Sequence, residues 1–338
     1  MIDPSSEFAL IERFFKRSKL TNSFVAHGVG DDCALLTPFG GEQLAVSTDT
    51  LVESIHFFPD VDPEALGHKA LAVNLSDLAA CGATPRCFFL ALALPQIDQT
   101  WLERFSSGLH ALADAHHCVL AGGDTTRSPS GVVITITVLG SVPSGHALMR
   151  SGAKPSDDIW VSGELGDAAL ALAARRGLLT LPQSDSQSVL KRLERPTPRI
   201  NLGERLRQVA SSAIDVSDGL TGDLAHVLRA SAAGAVVEWK QIPRSAALRR
   251  QPDSMQKDYA LAGGDDYELL FTAPVSARSK VLAAASCVDG VAVTRIGTVT
   301  ATADLTVLDD AGRRVETGVR GFDHFAPDSA IRRRDADS

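Results

Sequence analysis

Aspartate is the residue whose placement points to chemistry in this chain. Asp31 and Asp32 follow Gly28-Val29-Gly30, Asp49 ends an apolar run, and Asp77 falls near the end of an apolar helical repeat. Asp124 follows Gly122-Gly123, Asp215 and Asp218 bracket Val216-Ser217, and Asp265 and Asp266 follow Gly263-Gly264. Some of these have an ordinary structural reading. Asp31 and Asp32 suit a turn, and Ser217 or Asp218 suits the cap of the helix that follows. Asp49 and Asp215 fit less easily, because a lone carboxylate beside apolar neighbours is desolvated at a cost. Asp77 lies in the last turn of its helix, where the macrodipole opposes negative charge by roughly 0.3–1 kcal/mol. A cation close by reverses that sign. Carboxylates spread over strand ends and Gly-rich loops are hard oxygen ligands of the kind that suits Mg²⁺, which binds through one or two carboxylates with phosphates and water.

Other ion and nucleotide sites are excluded by spacing. A calcium EF-hand begun at Asp215 would place His226 where a bidentate Glu is required and Gly219 one place early. No His/Cys set has zinc spacing, and His116-His117 reads as surface. Neither a G-x-x-x-x-G-K-[ST] loop nor a complete G-x-G-x-x-G is present. A polyphosphate would therefore be held chiefly through metal ions, helped by basic groups among Lys69, Arg127, Arg150 and Lys154.

The elements that position these residues alternate between strand and helix. Phe8, Ile11, Phe14 and Phe15 recur at helical spacing. Leu44–Thr50 alternates as a strand, with Ser47 and Asp49 on one face. Asp62-Pro63-Glu64 is a helix start, and the repeat of Leu66, Ala70, Val73 and Leu78 runs to Gly82. Cys87–Leu94 is expected to be a buried strand, Trp101–His116 a helix, Val119–Ala121 a short strand ending in a Gly-Gly-Asp loop, and Val132–Leu139 a strand. Ser141–Asp158 lacks periodicity and marks a boundary. Beyond it, Ile159–Ser162, the Ala/Leu-rich stretch to Arg176 and the Arg195–Arg199 turn lead to a helix opened by Ser217-Asp218-Gly219, and then to a strand at Leu269–Phe271. The expected domains are residues 1–145 and 146–327, with a tail at 328–338. Leu120-Ala-Gly-Gly-Asp124 recurs as Leu261-Ala-Gly-Gly-Asp265, an echo compatible with duplication.

The chain has 338 residues, 44% hydrophobic and 22% charged, with a net charge of −8. These values describe a packed globular protein with little general pull on nucleic acid or anionic membrane, and the alternation of strands and helices in both halves gives two α/β or α+β domains. Five cysteines with no CxxC favour a reducing, cytoplasmic setting over a disulfide framework. No apolar stretch approaches the roughly 20 residues of a membrane helix, and the first residues do not read as a signal peptide.

Six motifs in order carry a resemblance: Gly28–Ala34, Ser47-Thr48-Asp49-Thr50, Asn74–Ala80, Gly122–Thr126, Asp215–Gly219 and Gly263–Glu268. Together they resemble the thiamine-monophosphate kinase family, related to aminoimidazole ribonucleotide synthetase. The resemblance runs from about Phe8 to Phe325. It implies a two-domain α/β (α+β) fold whose N-terminal domain pairs into a dimeric β-barrel, and ATP-dependent phosphorylation of thiamine monophosphate with several Mg²⁺ ions. Position by position, Asp32, Ser47, Thr48, Asp49, Asp77, Asp124, Asp215 and Asp218 look like magnesium ligands. Gly123, Arg150 and Ser217 match ATP contacts, and His56, Asp265 and Phe322 match contacts to thiamine monophosphate. The family often has Glu at Asp265 and can have Tyr at Phe322.

No general base is expected, since a phosphate monoester is mostly ionised at pH 7. Two other readings stay open: a sibling ATP-using enzyme with another acceptor, and a Mg-nucleotide sensor without turnover. Selenophosphate synthetases use a reactive Cys or Sec near a glycine-rich N-terminus and hydrogenase-maturation relatives a terminal Cys, whereas this chain ends Asp335-Ala-Asp-Ser338.

Overall fold

The computed structural model describes residues 25–27, 34–36 and 40–315. The expected helix at Phe8–Phe15, Asp31, Asp32, Phe322 and the tail lie outside the described residues. Two six-stranded sheets organise the chain. The first holds β1 (Val25–His27), β2 (Ala34–Leu36), β3 (Glu42–Val52), β4 (Thr84–Leu94), β5 (Val119–Arg127) and β6 (Val133–Pro143) in the order β1-β2-β3-β6-β4-β5. Only β4 and β5 run parallel. This sheet is open within one chain, and the expected barrel is not formed by the described residues.

Helices α1 (Pro63–Ala80) and α2 (Gln99–Ala115) pack against each other, and α1 also lies on β3 and β6. The α1 start is the expected one. Asp62 accepts from the Glu64 and Ala65 amides at 2.9 and 3.1 Å, with Pro63 in the first turn. Alanine and leucine on every side of α1 leave almost nothing exposed, as suits a helix packed all round.

The second sheet holds β7 (Asp158–Ser162), β8 (Ser212–Asp215), β9 (Gly234–Glu238), β10 (Leu269–Ala273), β11 (Val293–Thr300) and β12 (Leu305–Leu308), ordered β12-β9-β11-β7-β10-β8. Alternation along its strands splits its two faces. Ile159, Val161, Ile214 and Leu270 pack with α3 (Asp167–Arg175) and α6 (Leu220–Ser231). Trp160, Ala213, Leu269 and Phe271 instead join the core that contains α1. One helix is thus the common wall of both sheets. Helix α5 (Ile200–Leu206) seals it, with Gly203 so close that a Cβ would lie 2.1 Å from the Ala79 carbonyl oxygen.

Three expectations change. β4 alternates rather than lying buried throughout: Phe88 and Leu92 are buried while Phe89 is 42% exposed. The strand at Val119 runs on to Arg127, so Gly122-Gly123-Asp124 is edge strand and not a loop. The Leu-Ala-Gly-Gly-Asp echo is no structural repeat, because its first copy is strand and its second ends α8 (Asp253–Ala262) and enters a loop. Among the described residues no helix is long and apolar enough to cross a membrane.

Candidate active site

The site is built on α1. At 100° per residue, Ser76, Lys69, Asp77 and Asn74 fall within roughly 160° of one side of the helix. Each reaches a different partner. The Ser47 hydroxyl donates to Asp77, and the Asn74 side-chain oxygen accepts from the Asp49 amide at 3.2 Å. From the second sheet, Asp215 accepts from the Ser76 hydroxyl at 2.6 Å, and Lys69 meets Asp265 at 3.1 Å. Strand period explains this convergence. Ser47 and Asp49 alternate with buried Ala45 and Leu51 on the α1 face of β3, and Asp215 shares the α1 face of β8 with Ala213.

A tight loop completes the second half. The Asp265 amide donates to the Ser217 carbonyl and the Tyr267 amide to the Val216 carbonyl, both at 2.8 Å. Asp265 and Tyr267 hold left-handed backbone angles, φ +67° and +51°, which are uncommon for residues other than glycine. The Tyr267 hydroxyl donates to Asp265 at 3.0 Å. Burial, together with the charges of Asp265, Asp49 and Asp215, pushes the Tyr267 phenol well above its usual range, so it stays protonated. The negative charges of Asp49, Asp215 and Asp265 thus all bear on one buried hydroxyl.

Beside the loop, Glu268 is 0% exposed and accepts from Arg192, Arg199 and Ser162. Burial alone would raise its carboxyl, but the Arg199 hydrogen bonds and both guanidinium charges outweigh it and hold the group below the usual range. Neighbouring Asp266 accepts from the Gly166 amide at 2.8 Å, and burial drives its carboxyl the other way, well above its usual range.

The remaining expected residues are placed as follows. Thr48 points to the opposite face of β3, where its hydroxyl pairs with Thr137 at 2.9 Å, so the structure does not bring that hydroxyl to Asp77. Asp124 stands in register with Ala91, Thr135 and Thr50, an exposed row three strand spacings, about 14 Å, from β3. Gly123 lies beside it, where a Cβ would sit 1.9 Å from the Leu90 carbonyl oxygen. Neither residue reaches α1 within one chain. Asp218 donates its amide to Asp223 at 3.1 Å, and Gly219, not Ser217 or Asp218, occupies the α6 cap position. The Arg150 carbonyl accepts from Ser231 at 3.2 Å, while burial, with the Arg150 charge next, lowers the His226 imidazole to about 4. His56 accepts from the Val52 amide through Nδ1 at 3.0 Å, so its neutral ring carries the proton on Nε2.

Sequence reasoning gave no role to Asn74, Ser76, Tyr267, Glu268, Arg192 or Arg199, and read Lys69 only as a phosphate cation. Helical spacing was the available signal for Asn74 and Ser76. Among the described residues no three His, Cys, Asp or Glu side chains already form a group able to hold a metal. The donors come as hydroxyl–carboxylate pairs, which fits Mg²⁺ carried mainly by phosphates and water rather than a closed protein cage.

The two halves match, in order, the N-terminal domain of AIR synthase related proteins over residues 30–142 and the C-terminal domain over 154–310. The fold and the two-sided site thus define an AIR synthase related protein. Thiamine-monophosphate kinase of Salmonella typhimurium is 47% identical over 322 residues, covering 95% of this chain and 98% of the relative. The chain belongs to the thiamine-monophosphate kinase family. The crystal structure of that enzyme from Stenotrophomonas maltophilia is 45% identical, with a TM-score of 0.77 over 91% of this chain and 98% of its own. AaThiL complexed with AMPPCP and TMP is 28% identical, with a TM-score of 0.80 over 95% and 97% of the two chains.

Proposed function

We propose that this chain is a thiamine-monophosphate kinase that transfers the γ-phosphoryl group of ATP directly to the phosphate of thiamine monophosphate, giving thiamine diphosphate and ADP. The observation that carries this reading is the meeting of Asp49 and Asp77 from the first half with Asp215 and Asp265 from the second along α1. Kinase relatives spanning nearly the whole chain support the reaction class, and the AaThiL complex with AMPPCP and TMP supports the substrates.

The acceptor phosphate is mostly ionised at pH 7, so the chain has no need of a strong base. Tyr267 remains a neutral donor. Asp77 and Asp215, with Ser47 and Asp49 on the α1 face of β3 and Asp218 in the loop after β8, would hold Mg²⁺. When bound there, Mg²⁺ supplies the positive charge that offsets the repulsion between two phosphates meeting in line. Arg150 and Ser217 are assigned to the nucleotide, His56 and Asp265 to the thiamine side, and residues 1–145 and 146–327 to the two domains. Incubation with ATP, Mg²⁺ and thiamine monophosphate should yield thiamine diphosphate. ADP released only with another acceptor, or tight ATP binding with no ADP, would overturn the assignment.

The reading includes a homodimer. The face of the first sheet turned away from α1 presents Thr48, Thr50, Phe89 and Ala91 to solvent, and β5 ends the sheet with its residues exposed. Such a surface and open edge invite a second copy. Covering that face is also the route by which Gly123 and Asp124 join a site that they do not reach alone. Phe89→Asp should shift sedimentation from dimer toward monomer and lower activity with it. An unchanged dimer would remove this face from the interface.

A further inference from the structure

We propose that Lys69 is a positioning residue that sets the acceptor side of the site from the opposite half of the chain; the inference rests on the reading of Asp265 as a substrate contact. Lys69 is 4% exposed, so its ammonium group is not held out to catch phosphate from solvent. Burying it is costly unless it is paired, and Asp265 supplies the pair at 3.1 Å. Its charge is also felt by the Glu194 carboxyl, which burial raises and the Arg175 and Lys69 charges lower.

Both Asp265 oxygens are engaged. One accepts from Lys69 and the other from the Tyr267 hydroxyl, while the side chain remains 33% exposed. The backbone around it is in left-handed conformation at both Asp265 and Tyr267 and is pinned to Ser217 and Val216. Such angles persist only where the surroundings over-determine them. Lys69 supplies the one described ionic contact to this loop from the first half. It fixes which way the Asp265 carboxylate faces, and it offsets a negative charge that would otherwise repel an incoming phosphate.

The test uses the full chain and five proteins: wild type, Lys69→Met, Lys69→Arg, Asp265→Asn and the Lys69→Met/Asp265→Asn double variant. Lys69→Met should raise KM for thiamine monophosphate by about tenfold or more, with KM for ATP within about twofold. Lys69→Arg should recover most of that loss, and the double variant should be no worse than the more impaired single one. Amide exchange over residues 263–268 should quicken by about tenfold in Lys69→Met and stay near wild type in Lys69→Arg. Equal changes in both KM values, multiplicative losses in the double variant, or unchanged exchange would each overturn the positioning role. If Lys69→Met does not fold, Lys69→Gln carries the same comparison, since it keeps a donor toward Asp265 without the charge. Wild type that makes no thiamine diphosphate overturns the substrate reading, and the exchange measurement then still decides the role of Lys69.

Discussion

Replacing Asp215 by Asn is expected to lower turnover by about 100-fold, roughly 2.7 kcal/mol of lost transition-state stabilisation, while the fold stays intact. The two effects separate because of where Asp215 sits. It is 3% exposed and accepts from the Ser76 hydroxyl, and asparagine can accept that same hydrogen bond with its side-chain oxygen. The substitution removes the charge and turns the second oxygen into an NH2 donor. Removing a charge from a buried position costs the fold little and can stabilise it, so the melting temperature should hold or rise. Activity should fall because the carboxylate of the second half is no longer available to a divalent cation. Asp77→Asn, on the first-half side, should cost about tenfold or more. If both act on the same bound ions, the double variant should lose less than the product of the single losses. Turnover within about threefold of wild type for Asp215→Asn at saturating Mg²⁺ would take Asp215 out of the site.

Glu268→Ala should act on stability first. Glu268 is fully enclosed, and its removal strands the Arg192 and Arg199 guanidinium groups, whose side chains are 24% and 10% exposed. Breaking a buried ion pair by deleting one partner costs about 3–5 kcal/mol, and the partial exposure of Arg192 places this case near the lower end. Glu268→Gln keeps the acceptor and the volume and should cost less. The pH dependence has a definite sign. The Glu268 carboxyl is held below its ordinary range in the fold, so its contribution is present above the ordinary glutamate pKa and is lost as pH falls through the lower folded value. The stability gap between wild type and Glu268→Ala, measured by urea unfolding, should therefore narrow on acidification. A gap that widened as the pH fell would contradict the ion-pair assignment.

What could be read from the residues followed the range of the interaction. The Asp62 cap and the α1 boundaries are local, and they came out as the spacing implied. The discomfort of Asp77 at a helix end was legible, and the structure adds the Ser47 hydroxyl as its partner. Period two put Ser47 and Asp49 on one face, which already sends Thr48 to the other. The resemblance that grouped all three residues carries no information about side-chain direction. Gly122-Gly123 reads as a break by propensity, yet pairing with β4 carries the strand through it, because strand formation depends on neighbours more than on the residue itself. The long-range contacts that build the site had no local signature. Lys69 and Asp265 are 196 residues apart, and Arg199 and Glu268 are 69 apart. The Arg195–Arg199 turn was visible as punctuation, whereas the carboxylate awaiting its last residue was not.

The most direct measurement is a crystal structure of the chain with a non-hydrolysable ATP analogue and Mn²⁺ in place of Mg²⁺, with the ions located by anomalous scattering. Ions bridging the nucleotide phosphates should contact carboxylates from both halves, Asp77 on one side and Asp215 on the other. Ions touching only phosphate, or carboxylates of a single half, would show that α1 does not join two half-sites into one.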